Sequence, residues 1–365
     1  MMLSVRRDGE AGPDGTGTVL AAPDAFKGTA GAGQIADAVA RGAAEAGWAC
    51  DRCPLSDGGE GFATVVAGAA GEGGWRETTV SGPLGGPVVA RWRLVETTAG
   101  PEAVVESAAA SGLVLAGGAA GNDPVAASTR GTGELLVAAA RAGARRILLG
   151  IGGSATTDGG RGALEAVEDG GGLGDVEVVV ACDVDTGFLD AARVFAPQKG
   201  ADANQVAALS ARLVELAARY RRDTGIDVAA LAGAGAAGGL AGGLASIGAR
   251  LVPGFEVVAA AVGLRARLER ADMVVTGEGR LDATSWSGKV VGRVLALAAA
   301  LGRDAVVMAG SVDPGWRAGL GSTPMPAVVD LSRRFGAARA LADPAGAVTE
   351  AIRADLLARR VTDAG

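Results

Sequence analysis

Five clusters in this chain bring together residue types that handle phosphate, carboxylate or a hard metal ion. The longest is Gly150-Ile151-Gly152-Gly153-Ser154-Ala155-Thr156-Thr157-Asp158-Gly159-Gly160. Glycines at 152, 153, 159 and 160 let backbone N–H groups approach an anion without interference from a Cβ. Ser154, Thr156 and Thr157 add hydroxyl donors, and Asp158 is available to Mg²⁺ or to substrate hydroxyls. No Gly-Lys-Ser/Thr follows the run, so it is not a Walker A loop.

The other four clusters also fall where short apolar runs end. In Ala22-Pro23-Asp24-Ala25-Phe26-Lys27-Gly28, Asp24 suits a metal or a substrate proton and Lys27 suits a phosphate or carboxylate. A helix cap beside a solvated lysine is the plainer reading. Pro54-Leu55-Ser56-Asp57-Gly58-Gly59-Glu60-Gly61 sets two glycines between two acids, which lets the chain turn and bring the acids together. An ordinary Asp-Gly turn is its bland alternative. Val180-Ala181-Cys182-Asp183-Val184-Asp185 precedes Phe195-Ala196-Pro197-Gln198-Lys199-Gly200, supplying Asp183 and Lys199. Thr276-Gly277-Glu278-Gly279-Arg280-Leu281-Asp282 leads to Ser287-Gly288-Lys289. Its Glu278, Arg280 and Lys289 suit Mg²⁺ and phosphate together around a strand-to-helix turn, with surface ion pairing as the alternative.

Composition removes whole classes of chemistry. The 365 residues include no histidine, which excludes Ser-His-Asp and Cys-His catalysis, HExxH proteases and His-ligated metals. Acid–base work falls to Asp, Glu or Lys, and a metal must accept oxygen ligands, which favours Mg²⁺. A net charge of −7 argues against nucleic acid as a partner. Cys50 and Cys53 have CxxC spacing but lack a second pair, so reduced structural thiols in a cytoplasmic protein are expected. The uncharged stretch Val228 to Ala249 is mostly Ala and Gly, too weakly apolar for a membrane span, and reads as a packed internal segment.

These clusters need a scaffold, and short β-branched runs alternating with Ala-rich stretches supply an α/β one. Strands are expected at 18–22, 49–55, 146–151, 176–182, 272–276, 305–308 and 327–329. Runs at 75–80, 88–95 and 103–106 read as antiparallel strands. Helices are expected at 32–46, near 134–141, from 161, at 203–222, around 290–300 and at 346–359. Two strands at the start and three at the end predict a five-stranded parallel sheet, with a second α/β domain inserted after the second strand. The expected division is a flexible tail over 1–17, one domain from 18–61 with 265–365, and an insert over 62–264. Gly233-Ala234-Gly235-Ala236-Ala237-Gly238 matches GxGxxG, but no convincing strand precedes it, so a dinucleotide site is disfavoured.

Taken in order, the motifs resemble the bacterial class I glycerate kinase family. The matching runs are Ala22–Gly28, Pro54–Gly61, Ser81–Gly85, Ala109–Leu113, Gly131–Leu135, Gly150–Gly160, Ala181–Val184, Pro197–Ala201, Gly233–Gly239 and Thr276–Asp282 with Gly288-Lys289. The resemblance implies a flavodoxin-like domain carrying an inserted α/β domain, with an active site in the cleft between them. It implies ATP-dependent phosphorylation of D-glycerate, more often at the 2-hydroxyl, with Mg²⁺; a homodimer is left open. On that reading some of Asp57, Asp158, Asp183 and Glu278 supply the metal ligands, and Gly152, Gly153, Ser154, Thr156 and Thr157 hold polyphosphate or carboxylate. Lys27, Lys199, Arg280 and Lys289 neutralise charge, and Asp24 or Asp183 accepts the substrate proton. The chain departs from the family at Thr157, Ala196 and the segment Asp185–Leu189, and two alternatives stay alive: a kinase for another small hydroxy acid, and a catalytically silent ATP- or metabolite-binding regulator.

Overall fold

The computed structural model describes residues 17–59, 61–69, 73–286, 288–320 and 325–363. The tail expected over residues 1–17 therefore lies outside the described residues except for Gly17, as do Glu60 and Ser287. The chain forms two compact units, one from the residues up to Ser56 with those from Val262 onward, the other from Asp57–Ala261.

The first unit contains β1 (Thr18–Ala21) and β2 (Ala49–Arg52), and the second opens with β3 (Gly73–Ser81), β4 (Pro87–Thr97) and β5 (Gly100–Glu106). The second unit continues through β6 (Arg146–Gly150), β7 (Glu177–Ala181) and β8 (Arg250–Val252). The chain then returns to the first unit with β9 (Met273–Leu281), β10 (Asp304–Val312) and β11 (Ala327–Asp330).

In the first unit the five strands lie in the order β11-β10-β9-β1-β2, every pair parallel. Counting only this unit's strands, that is the 2-1-3-4-5 order of flavodoxin-like folds, whose switch point lies between β1 and β9. Strand β1 is short and apolar after Thr18 because helices cover both faces of a parallel sheet. On one face, helix Ala32–Glu45 buries Ile35, Ala36, Val39 and Ala43 at helical spacing. Its Gly42 meets helix Pro344–Asp363 so closely that a Cβ would stand 2.5 Å from the Thr349 carbonyl. On the other face, helix Val290–Ala300 buries Val291 and Leu295 with Leu281, Val307 and Trp316.

Three expected features change here. Strand β2 stops at Arg52, although Cys53 and Leu55 still donate to the carbonyls of Ala21 and Pro23 at 2.8 and 2.9 Å. Strand β9 runs on to Leu281, so Glu278 and Arg280 sit on a strand opposite Ala309 and Ser311, not in a turn. Gly277 permits this, since a side chain there would strike the Met308 carbonyl of β10. The segment Ala22–Gly28 also does not open the first helix. It folds into a tight turn in which Phe26 and Ala30 exchange backbone hydrogen bonds, with Gly28 at φ 77°.

In the second unit β3, β4 and β5 form an antiparallel meander, and β5 to β8 run parallel, in the order β3-β4-β5-β6-β7-β8. The core packs Ile147, Leu149, Val178 and Val180 against Leu135, Leu136 and Ala139 of helix Arg130–Arg141 and against Leu240 and Leu244. A satellite core forms around Phe188 under helix Ala203–Thr224. The apolar stretch 228–249 resolves into a 3-10 turn at Val228–Ala230, a glycine-rich loop and the helix Leu240–Ser246, buried along its whole length. No helix among the described residues is long and apolar enough to cross a membrane. No strand precedes Gly233–Gly238, so the formal GxGxxG match lacks the context of a dinucleotide loop.

Candidate active-site residues

In the second unit the loop that follows β6 is held from several sides. The segment Asp57–Gly59 runs along it, with Gly152 N–H directed at the Gly58 carbonyl at 3.4 Å. A Cβ on Gly152 would stand 2.5 Å from Gly59 Cα, and one on Gly150 would stand 2.7 Å from the Phe62 ring. Gly152 thus serves backbone-to-backbone packing, and Gly150 leaves room for the Phe62 ring. On another side, Leu113 N–H donates to Gly153 O at 2.8 Å and Ala155 N–H to Ser111 O at 2.9 Å.

Only Gly152 and Gly153 of the run reach the surface, while residues 154–160 are buried. Of the segment Gly152–Thr157 expected to hold an anion, the surface part is therefore its first two residues. Ser154 Oγ and Thr156 Oγ1 are 3.0 Å apart and bonded to each other, and Thr157 Oγ1 is buried without a partner. Asp158, expected as a metal ligand, is held by hydrogen bonds within the chain. Its Oδ2 accepts from Thr129 N–H (2.8 Å), Thr129 Oγ1 (2.8 Å) and Gly162 N–H (3.2 Å), and its Oδ1 accepts from Gly160 N–H at 3.1 Å. Four donors occupy the carboxylate, which anchors the start of helix Arg161–Asp169.

Lys199 is equally committed. Only 3% exposed, it donates from Nζ to Thr156 O at 2.6 Å, and Ser154 Oγ lies 3.5 Å away. Burial pulls its pKa from 10.5 down to about 8, against the opposing pull of Asp158. The ammonium, buried under the loop, braces it through the Thr156 carbonyl.

Asp57 and Asp183 lie at the carboxyl edge of the parallel strands. Asp57 Oδ1 accepts from Gly59 N–H at 3.1 Å, and a Cβ on Gly58 would stand 3.0 Å from Ala181 O at the end of β7. Asp183 Oδ2 accepts from Phe255 N–H at 3.1 Å, in the first turn of helix Gly254–Val262. The structure thus gathers Asp57, Gly152, Gly153 and Asp183 on one edge, in line with ligand binding beyond strand carboxyl ends. The atypical segment after Asp183 spends its aromatic residue on packing, since Phe188 is buried against Tyr220 with ring centroids 6.1 Å apart.

In the first unit the switch point gathers Asp24, Lys27, Glu278, Arg280 and Lys289. Asp24 N–H donates to Gly277 O at 2.9 Å, and its Oδ1 accepts from Ala25 N–H at 2.7 Å. A Cβ on Gly279 would stand 3.2 Å from Phe26 Cα, so the Asp24–Lys27 turn lies directly against β9. Burial raises the Glu278 pKa, while a hydrogen bond with Ser285 and the charges of Lys289 and Lys27 oppose the rise. Its Oε1 is buried with no hydrogen-bond partner. Arg280 bonds Asp313 at 3.0 Å, and Lys289 Nζ donates to Thr284 Oγ1 at 2.7 Å. Among the described residues no group of three or more acids and thiols is arranged to hold a metal.

The three cysteines are free, and burial raises Cys50, Cys53 and Cys182 to about 11, 12 and 11, so they stay thiols at neutral pH. Sequence reasoning missed three residues that shape these sites. Thr129, just before a helix, carries a capping signal, whereas Ser285 and Asn122 carry only turn signals. Asn122 Nδ2 donates to both Ala155 O and Lys199 O, at 3.0 and 2.9 Å.

The sequence model of the glycerate kinase family matches residues 19–169 and 171–357. The glycerate 2-kinase of Escherichia coli K12 is 36% identical over 328 residues, covering 80% of this chain and 85% of its own. An uncharacterised protein of Mycobacterium bovis is 39% identical over 346 residues, covering 90% of this chain and 87% of its own. A solved structure from Salmonella typhimurium LT2, provisionally named glycerate kinase 2, superposes with a TM-score of 0.79 at 31% identity, covering 96% of this chain and all of that one. With one family model spanning both units, the chain belongs to the glycerate kinase family.

Proposed function

We propose that this chain transfers the γ-phosphoryl group of ATP to D-glycerate, and that the 2-hydroxyl is the acceptor. The observation that carries the reading is the first unit's switch point, where a carboxyl oxygen of Glu278 is buried without a hydrogen-bond partner and the charges of Lys289 and Lys27 act on the carboxylate. Phosphoryl transfer asks a protein for this mixture of positioning and charge stabilisation. The 2-hydroxyl preference draws support from the relative in E. coli K12, a glycerate 2-kinase.

Oxygen donors of this kind fit Mg²⁺, which takes one or two carboxylates and completes its shell with phosphate and water. Glu278 would hold it, and the ion's contribution when bound is to neutralise polyphosphate charge. The chain's own residues do the rest. Lys27, Arg280 and Lys289 balance charge on the phosphoryl group as it leaves ADP. The substrate hydroxyl oxygen forms the new bond to phosphorus while the bond to the ADP oxygen breaks, and Asp24 or Asp183 takes the hydroxyl proton. Within the second unit, Gly152 and Gly153 are the backbone positions of the loop after β6 that reach the surface. Asp158 and Lys199 fix the loop that presents those glycines.

The test is ADP release from purified protein with ATP, Mg²⁺ and D-glycerate, followed by phosphorus NMR of the product. A 2-phosphoglycerate signal is the expected result. No turnover across a panel of small hydroxy acids by folded protein would overturn the proposal. A 3-phosphoglycerate signal would overturn the choice of hydroxyl.

A further inference from the structure

The loop after β6 is joined to two other segments by a single side chain. Asn122 follows the short helix Gly118–Gly121, and its Nδ2 donates to Ala155 O at 3.0 Å and to Lys199 O at 2.9 Å. Both partners are carbonyls, so the amide must turn its NH₂ towards them. Lys199 closes the arrangement from the other direction, since its Nζ donates to Thr156 O, one residue beyond Ala155. The segments that carry these residues also touch through their backbones. A side chain at Gly200, which has φ 97°, would strike the Ala119 carbonyl. Leu113 N–H meanwhile holds Gly153 O at 2.8 Å. Three stretches far apart in sequence thus share one small, partly buried network, and glycines 152 and 153, which reach the surface, extend directly from it.

We infer that Asn122 is a positioning residue, which together with Lys199 clasps the loop at Ala155–Thr156 and fixes where Gly152 and Gly153 stand. The inference rests on the kinase reading above only for the consequence in turnover. The clasp itself is a statement about the loop. Asn122 supplies both donors, so no single backbone group can replace it. Asp158, the charged group that acts on Lys199, holds the opposite end of the loop at Gly160 and Gly162. A loop pinned at both ends presents its glycines in one arrangement, whereas a loop freed near Ala155 samples several. Misplacement of a binding element by about 1 Å costs up to ~10²-fold in rate.

The experiment compares wild type with Asn122→Ala by amide hydrogen exchange of peptides covering 150–160, and by kcat and KM with ATP and D-glycerate. The expected result is faster exchange confined to those peptides and to 113–122, with kcat lowered at least tenfold. Asn122→Ser, which keeps one shorter donor, should fall between the two and serves if Asn122→Ala does not fold. Unchanged loop exchange in a folded variant would overturn the clasp. Faster exchange with unchanged kcat and KM would overturn its part in turnover. A silent wild type would sink the kinase reading instead, leaving the exchange comparison to decide the clasp.

Discussion

At neutral pH Lys199 carries an ammonium in a site from which water is excluded, and this makes the second unit's stability depend on pH in a definite direction. The amine moves from the ordinary 10.5 to about 8 because burial outweighs the help it receives from Asp158. That difference corresponds to about 3 kcal/mol of preference for the neutral form in the folded chain. The sign follows from proton counting. Between pH 8 and 10.5 the unfolded chain binds the proton and the folded chain does not, so stability rises with pH across that window. The contribution is fully present above 10.5 and is lost as pH falls through 8. The perturbation is Lys199→Met, which keeps the length of the side chain and cannot titrate. Urea unfolding of both proteins at pH 7, 8, 9 and 10, followed by far-UV circular dichroism, isolates the lysine, because the other titrating groups cancel in the difference. Wild-type stability minus variant stability should rise by most of 3 kcal/mol over this range. Parallel profiles would refute the reasoning. A difference that falls with pH would show that the Thr156 carbonyl and Asp158 win over burial.

Asp158→Asn should destabilise the protein by about 1–3 kcal/mol, because a buried acceptor of four donors gains a competing donor. The Mg²⁺ concentration for half-maximal activity should stay at its wild-type value, and a large shift would return Asp158 to the metal. Gly152→Ala should cost about 1–3 kcal/mol in a melting experiment, since the new methyl would meet Gly59 Cα at 2.5 Å and neither backbone has room to yield. A neutral melt would refute that close approach. Glu278→Gln should lower kcat by ~10²–10³ with melting unchanged or slightly raised, as its charged form is disfavoured by burial. Activity within a few fold of wild type would remove Glu278 from the mechanism.

The strands that build both sheets were legible because parallel strands buried on two faces read as short β-branched runs, as in Val178–Val180 and Met273–Val275. The five-stranded parallel sheet followed from counting them. Glycine was harder to read. Gly277 and Gly279 look like turn glycines, yet they let β9 run on beside β10 and against the Phe26–Lys27 backbone. Gly152 looks like an opening for an anion, and its reason is the approach of Gly59, over ninety residues earlier in the chain. Periodicity reports on neighbours along the chain and is silent about such partners. Lys199 shows the same limit, because its type suggests a cation for phosphate, and only the folded chain places its amine beneath Ser154 and Thr156.

The parallel sheet of the first unit also constrains how the protein comes into being. Thr18 N–H bonds the Asp272 side chain across 254 positions, and β1 pairs with β9 beside it. At a synthesis rate of about 5–20 residues per second, roughly 13–50 seconds separate the two strands at the ribosome. Residues 57–261 emerge whole within that interval and have every partner of their own sheet at hand. Strand β1 meanwhile has only β2 for company, and Val19 and Leu20, wholly buried in the finished fold, have no β9 or β10 to pack with. The middle of the chain can therefore finish first, and a nascent chain stalled before residue 273 would carry one complete unit and an apolar strand still waiting for its neighbour.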